Sequence, residues 1–169
     1  ILADIKLDKE SIITGLLHDT IEDTLATNDD IEKLFGKKVF NLVNGVTKIG
    51  QLKISSKFER QADNFRKLIL ATGNDIRVII VKLADRLHNC RTIHHLPENK
   101  QADFAKETMD LYAPLADRLG IYWIRTELED ISFKILKPHE YAEIEYAFSN
   151  KKNDWEIYST EIQGLLQDQ

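Results

Sequence analysis

Apolar residues in this chain recur at three- and four-residue intervals in one segment after another, and nowhere do they alternate one by one. The first spacing lines one face of a helix, whereas strict alternation would line one face of a strand. From Ser11 to Ile21 the stripe is Ile12, Ile13, Leu16, Leu17 and Ile21; from Phe58 to Ala71 it is Phe58, Ala62, Phe65, Leu68 and Ile69. Between Asp75 and Asn89 the run Val78 to Val81 alone would suit a strand, but Leu83, Ala84 and Leu87 prolong it at helical spacing. Phe104 to Leu119 reads as a helix kinked at Pro114, Ile121 to Leu136 as a further amphipathic helix, and Pro138 opens the next. A last helix is expected from about Trp155 to Leu166. Only seven Gly and three Pro interrupt 169 residues, so the expected fold is all-α, a helical bundle.

The punctuation between these segments is local. Thr27, Asn28, Asp29 and Asp30 supply capping side chains for a short helix from about Asp29 to Phe35, which Gly36 stops. Val39, Phe40, Leu42 and Val43 suggest another short helix. Gly45 to Ser56 has no clear period and two glycines, which predicts a mobile loop. Gly73, the stretch Pro97 to Lys100, and Gly120 mark further breaks.

Several function classes are disfavoured at once. No run reaches the eighteen or so apolar residues of a membrane span, and the N-terminus has no signal-peptide layout, so a cytoplasmic protein without membrane contact is expected. Cys90 is the only cysteine, which rules out an internal disulfide and a thiolate zinc cluster and suits a small buried hydrophobe. A net charge of −5 speaks against a nucleic-acid polymer as the main ligand. Lys and Arg concentrate between Lys48 and Arg91, either as solvated helix faces or as a local field for a small anion.

Where the first apolar stripe ends stand His18 and Asp19, followed by Glu22 and Asp23. On a continuous helix His18 sits over Glu22 and Asp19 over Asp23, which gathers an imidazole and three carboxylates in little more than one turn. Such a group repels itself unless a cation or hydrogen bonds hold it, and a divalent metal is the simplest occupant. A metal needs a further ligand from elsewhere in the chain. Two identical phrases offer one, Leu83-Ala84-Asp85-Arg86-Leu87 and Leu115-Ala116-Asp117-Arg118-Leu119, and composition does not decide between Asp85 and Asp117. Their contexts differ: Asn89 shares the helical face of Asp85, whereas Asp117 runs into Gly120 as at a plain helix end.

Five phrases in order, Gly15-Leu16-Leu17-His18-Asp19-Thr20-Ile21-Glu22-Asp23-Thr24, Gly45-Val46-Thr47-Lys48, Asn64-Phe65-Arg66-Lys67, Val81 through Thr92, and Tyr112 through Ile121, closely resemble the hydrolase region of the Rel/SpoT alarmone enzymes over roughly residues 1 to 145. The resemblance implies an HD-domain phosphohydrolase-like helical bundle, Mn²⁺ as cofactor, and hydrolysis of the 3′-pyrophosphate of ppGpp or pppGpp to GDP or GTP. It implies His18, Asp19 and Asp85 as metal ligands, which selects Asp85 over Asp117, with Glu22 and Asp23 as the catalytic acidic pair. Asn89 and Thr92 correspond to nucleotide-contacting positions. An imidazole and carboxylates suit Mn²⁺, and a neighbouring carboxylate is the base such chemistry needs.

The family pattern has one more histidine ligand on a helix upstream of the His-Asp pair, and the match begins inside the tail of that helix. Residues 1 to 119 are therefore expected to be an N-terminally incomplete hydrolase domain, weakly active or inactive on its own, and residues 120 to 169 a helical approach to a synthetase domain. His88, His94, His95 and His139 do not read as substitutes for the missing ligand. Asp117 stands where the family more often has histidine. The rival readings are an HD phosphohydrolase of another nucleotide and a non-catalytic regulatory HD module; the oligomeric state is left open.

Overall fold

A computed structural model of the chain describes residues 1–50 and 75–149, and every regular element among them is helical. The expected helix at Phe58 to Ala71, the Asn64-Phe65-Arg66-Lys67 phrase and the helix at Trp155 to Leu166 lie outside the described residues. Among the described residues no helix is long and apolar enough to cross a membrane.

The first helix, α1, spans Lys9–Leu17 and is capped by Asp8, whose carboxylate accepts from the Ser11 backbone N–H at 3.0 Å. Its fully buried positions are Ser11 and Thr14, while Leu16 is 80% exposed, so the buried face is rotated from the expected apolar stripe. The two hydroxyls can be buried because they are satisfied locally: Ser11 donates to Asp8 and Thr14 to the Glu10 carbonyl. The helix expected to run unbroken to Ile21 instead stops at Leu17, and a one-turn helix, α2, follows at Thr20–Asp23. At the break His18 Nδ1 lies 2.9 Å from the Gly15 carbonyl oxygen, the acceptor that a continued helix would give to the Asp19 N–H.

Helix α3 spans Asn28–Gly50 and opens on a reciprocal cap in which Asp30 accepts from the Thr27 N–H at 2.9 Å and Thr27 Oγ1 accepts from the Asp30 N–H at 3.3 Å. Gly36, at φ 84°, breaks it into the two pieces expected from the sequence. The second piece does not end at Val43. Residues 45–50 of the expected loop are helical, with Gly45, Val46 and Ile49 buried, and Ser56 with its neighbours from 51 onward lies outside the described residues. Val46 and Ile49 continue the spacing of Val39, Leu42 and Val43, and Gly45 is there because Val78 presses against it. A Cβ at Gly45 would stand 2.8 Å from Val78 Cγ2 and 3.1 Å from Cγ1. Overpacking of this kind costs about 1–3 kcal/mol, against a helix-propensity gain of about 1 kcal/mol. Gly45→Ala is therefore expected to lower stability by about 1 kcal/mol in urea denaturation. Pairing it with Val78→Ala should cost less than the sum of the single changes, because the clash is relieved.

Helix α4, Arg77–Arg91, is the central element; Val78, Ile79, Val81, Leu83, Leu87 and Cys90 are at most 1% exposed. Arg77 clamps its first turn to the α1 cap by pairing with Asp75 and Asp8. Cys90 is buried as expected, and burial pushes its thiol pKa up. After a short 3₁₀ turn at Ile93–His95, Pro97 stands at the cap position of α5, Glu98–Glu107, so the expected break is confined to the residues before Glu98.

Pro114 has the effect expected of it, one turn early. Lacking an N–H for the Asp110 carbonyl, it is preceded by a widened π turn at Thr108–Tyr112, after which α6 runs Ala113–Arg118. Gly120, at φ 71°, ends that segment. Helix α7, Tyr122–Leu136, buries Ile124 and Leu128 at 0% exposure in the same core as α4, so the packed body extends past residue 119. Residues 138–149 continue as α8.

Candidate metal centre

Helix α4 carries a polar stripe on an otherwise buried rod. Lys82, Asp85, Asn89 and Thr92 follow at intervals of three or four, while Leu83, Ala84, Arg86 and Leu87 between them are buried. The break between α1 and α2 brings His18 and Asp19 against this stripe. His18 Nε2 lies 3.0 Å from Asp19 Oδ2 and 3.3 Å from Asp85 Oδ1. One donor atom from each of His18, Asp19 and Asp85 falls within 4.8 Å of the others. The group is half inside the protein, with side-chain exposures of 16% for His18, 55% for Asp19 and 10% for Asp85.

The orientation of His18 decides what this cluster suits. Nδ1 faces the Gly15 carbonyl at 2.9 Å, where only an N–H makes a favourable contact, so in the neutral ring the lone pair is on Nε2. That lone pair lies close beside two carboxylates. Nε2 is buried, and neither carboxylate oxygen is aligned with the ring to accept a regular hydrogen bond. A lone pair set against two anions is repulsive unless a positive charge stands between them. The close Asp85 carboxylate accordingly raises the His18 pKa, with burial opposing it. An imidazole nitrogen held by a backbone carbonyl and two carboxylate oxygens is a donor set that fits a divalent first-row cation.

Asp85 is the best anchored member. Lys82 Nζ meets Oδ2 at 2.7 Å, and Asn89 Nδ2 donates to Oδ1 at 2.8 Å. Burial is the largest single influence on Asp85 and works to raise its pKa, but His18 and Lys82 together outweigh it and hold the carboxyl down at about 2. Burial likewise disfavours the charged form of Lys82, and Asp85 more than compensates.

Glu22 and Asp23 are exposed on α2, outside the group of mutually close donor atoms. His18 does not sit over Glu22 as a continuous helix would have it, because the break turns the ring toward Asp85. The Glu22 carboxylate leans toward the end of α3, where a Cβ on Gly50 would stand 3.8 Å from its Oε1. Asn89 contacts Asp85 directly, and Thr92 closes α4 by donating to the His88 carbonyl at 3.2 Å. Asp117, the twin of Asp85, is exposed and paired with Arg125 at 2.6 Å. His88, His94, His95 and His139 are exposed and outside the cluster. Two features escaped the sequence reading, the Gly15 carbonyl and Lys82. The carbonyl leaves no trace in residue types, whereas Lys82 had one, since it precedes Asp85 by three on the same face.

The HD domain family model matches residues 1–122. The chain is 54% identical to a GTP pyrophosphokinase of Myxococcus xanthus, over 98% of its own length and 22% of the relative's. It is 50% identical to the bifunctional (p)ppGpp synthase/hydrolase SpoT of Escherichia coli (strain K12), over 99% of its length and 24% of that protein. It is also 50% identical to a guanosine-3′,5′-bis(diphosphate) 3′-pyrophosphohydrolase of Aquifex aeolicus (strain VF5), over 93% of its length and 22% of that protein. The chain thus spans about a quarter or less of the curated relatives it matches. A family match over residues 1–122, relatives of Rel/SpoT type along nearly the whole sequence, and a His-Asp pair meeting a distant aspartate in an all-helical fold agree, and the chain belongs to the HD domain family.

Proposed function

We propose that this chain is the hydrolase part of a Rel/SpoT-type enzyme and removes pyrophosphate from ppGpp and pppGpp, giving GDP and GTP. The observation that carries the reading is the cluster of His18, Asp19 and Asp85 with Nε2 of His18 free to ligate. In this reading those three residues hold Mn²⁺, which when bound polarises phosphoryl oxygen and acidifies water. Hydrolysis joins the water oxygen to the phosphorus carried by ribose O3′ and breaks the bond from that phosphorus to O3′, which takes a proton from solvent and leaves as the free hydroxyl. Glu22 or Asp23, exposed on the turn that follows Asp19, accepts the proton that the water gives up. Asn89 and Thr92 continue the Asp85 face of α4, where a bound nucleotide extends along the stripe. The hydrolase body is taken to include α7, with α8 as the beginning of the approach to a synthetase domain.

Hydrolysis by the full-length protein should be compared across ppGpp, dGTP and a cyclic dinucleotide in Mn²⁺. The expected order is rapid turnover of ppGpp and little of the other two. Preference for dGTP or the cyclic dinucleotide would replace the alarmone by another nucleotide.

A further inference from the structure

The metal cluster contains a cation of its own. Lys82 is 19% exposed in its side chain and its ammonium meets Asp85 Oδ2 at 2.7 Å, while the other oxygen, Oδ1, faces His18 Nε2 at 3.3 Å. Asn89 donates to that same Oδ1 at 2.8 Å. The two oxygens of one carboxylate therefore have different duties, Oδ2 engaged by a fixed positive charge and Oδ1 turned to the site. We propose that Lys82 is a positioning residue of the metal centre, one that confines Asp85 to ligation through a single oxygen and moderates how tightly the site holds its cation. The inference rests on the metal reading above and concerns how that site is tuned.

A carboxylate with both oxygens available can chelate a cation, occupying two coordination positions; one whose second oxygen is bound to an ammonium cannot without breaking that contact. Restricting Asp85 to one oxygen keeps a coordination position open, as hydrolytic centres require for substrate or water. Electrostatics acts in addition. A lysine charge next to a divalent ion in a site this enclosed repels it, and the repulsion at a few ångströms is worth more than the orientation it provides. Removing Lys82 should thus tighten metal binding while impairing turnover, the opposite pairing from damage to the fold, which loosens both.

The test is Mn²⁺ binding to the full-length protein and its Lys82→Met and Lys82→Arg variants, followed by the fall in the free-ion electron paramagnetic resonance signal, with ppGpp turnover alongside. Lys82→Met is expected to bind Mn²⁺ about tenfold more tightly or better and to lose most of kcat. Lys82→Arg, which keeps the charge, should stay near wild type in affinity. Should Lys82→Met fail to fold by circular dichroism, Lys82→Gln removes the charge in a polar side chain and carries the same expectation. Weaker or unchanged Mn²⁺ binding by a folded neutral variant overturns the role of Lys82 and leaves the metal site standing. Absence of Mn²⁺ binding in the wild type as well overturns the metal reading, and the Lys82 proposal with it.

Discussion

Asp85→Asn in the full-length protein is expected to weaken Mn²⁺ binding and ppGpp hydrolysis by more than about 100-fold, because loss of a residue that merely supports a ligand already costs about 10- to 100-fold. Asp117→Asn, in an identical five-residue phrase, should leave both within about twofold. The difference comes wholly from placement. Asp85 is 10% exposed and faces His18, while Asp117 is 46% exposed and pairs with Arg125 on the surface. Asparagine keeps the size of the side chain and can still accept from Asn89, but Lys82 loses its counter-ion in this variant, so circular dichroism of the variant is read beside the titration to separate ligation from folding. Calorimetric titration with Mn²⁺ checks it, and a larger loss from Asp117→Asn would reverse the assignment between the two phrases.

The neighbouring arginines separate in the same way, in stability. Arg86 is 7% exposed; its guanidinium donates to Thr108 Oγ1 and the Phe104 carbonyl and pairs with Glu107 at 2.6 Å. It also lies over the rings of Phe104 and Tyr112, at 3.7 and 4.3 Å from their centroids. Arg86 thus ties α4 to α5 and to the π turn. Arg86→Ala removes the packing and the hydrogen bonds together, and with Glu107 45% exposed and able to rehydrate, the loss should be about 3 kcal/mol. In a domain of this size that lowers Tm by roughly 6 to 12 °C. Arg118 is exposed, and Arg118→Ala should cost no more than about 1 kcal/mol, the upper range for an exposed charged contact. Thermal denaturation followed by circular dichroism measures both; equal losses would contradict the structural division between the phrases.

These twin phrases show where sequence reading reaches and where it ends. Helical period located α4 and α7, and the capping residues Thr27 and Asp30 marked the start of α3, because those signals are local. Asp85 and Asp117 could not be separated by any local rule, since what distinguishes them is the arrival of His18 from another helix. Gly45 was misread for a related reason: a glycine between apolar residues signals a loop unless something distant packs on it, and Val78 does. The rotation of α1 toward Ser11 and Thr14 was hidden because their burial depends on hydroxyls satisfied within one turn. The break at His18 was hidden as well, since it depends on a side chain taking the carbonyl that a continued helix would use. The carboxylates were visible as residue types, but Lys82, which engages one of them, was noticed only as part of a basic stretch.

If a divalent cation held at His18, Asp19 and Asp85 drives release of pyrophosphate from the 3′ side of ppGpp, turnover must follow occupancy of that cluster. The most direct measurement is the appearance of GDP and pyrophosphate from ppGpp as Mn²⁺ is titrated into the chelator-treated full-length protein. The expected result is negligible turnover without Mn²⁺ and a saturable rise as it is added, with the two products in equal amounts and the rise lost in His18→Gln. Turnover that persists undiminished in chelator, or release of single phosphates in place of pyrophosphate, would contradict it.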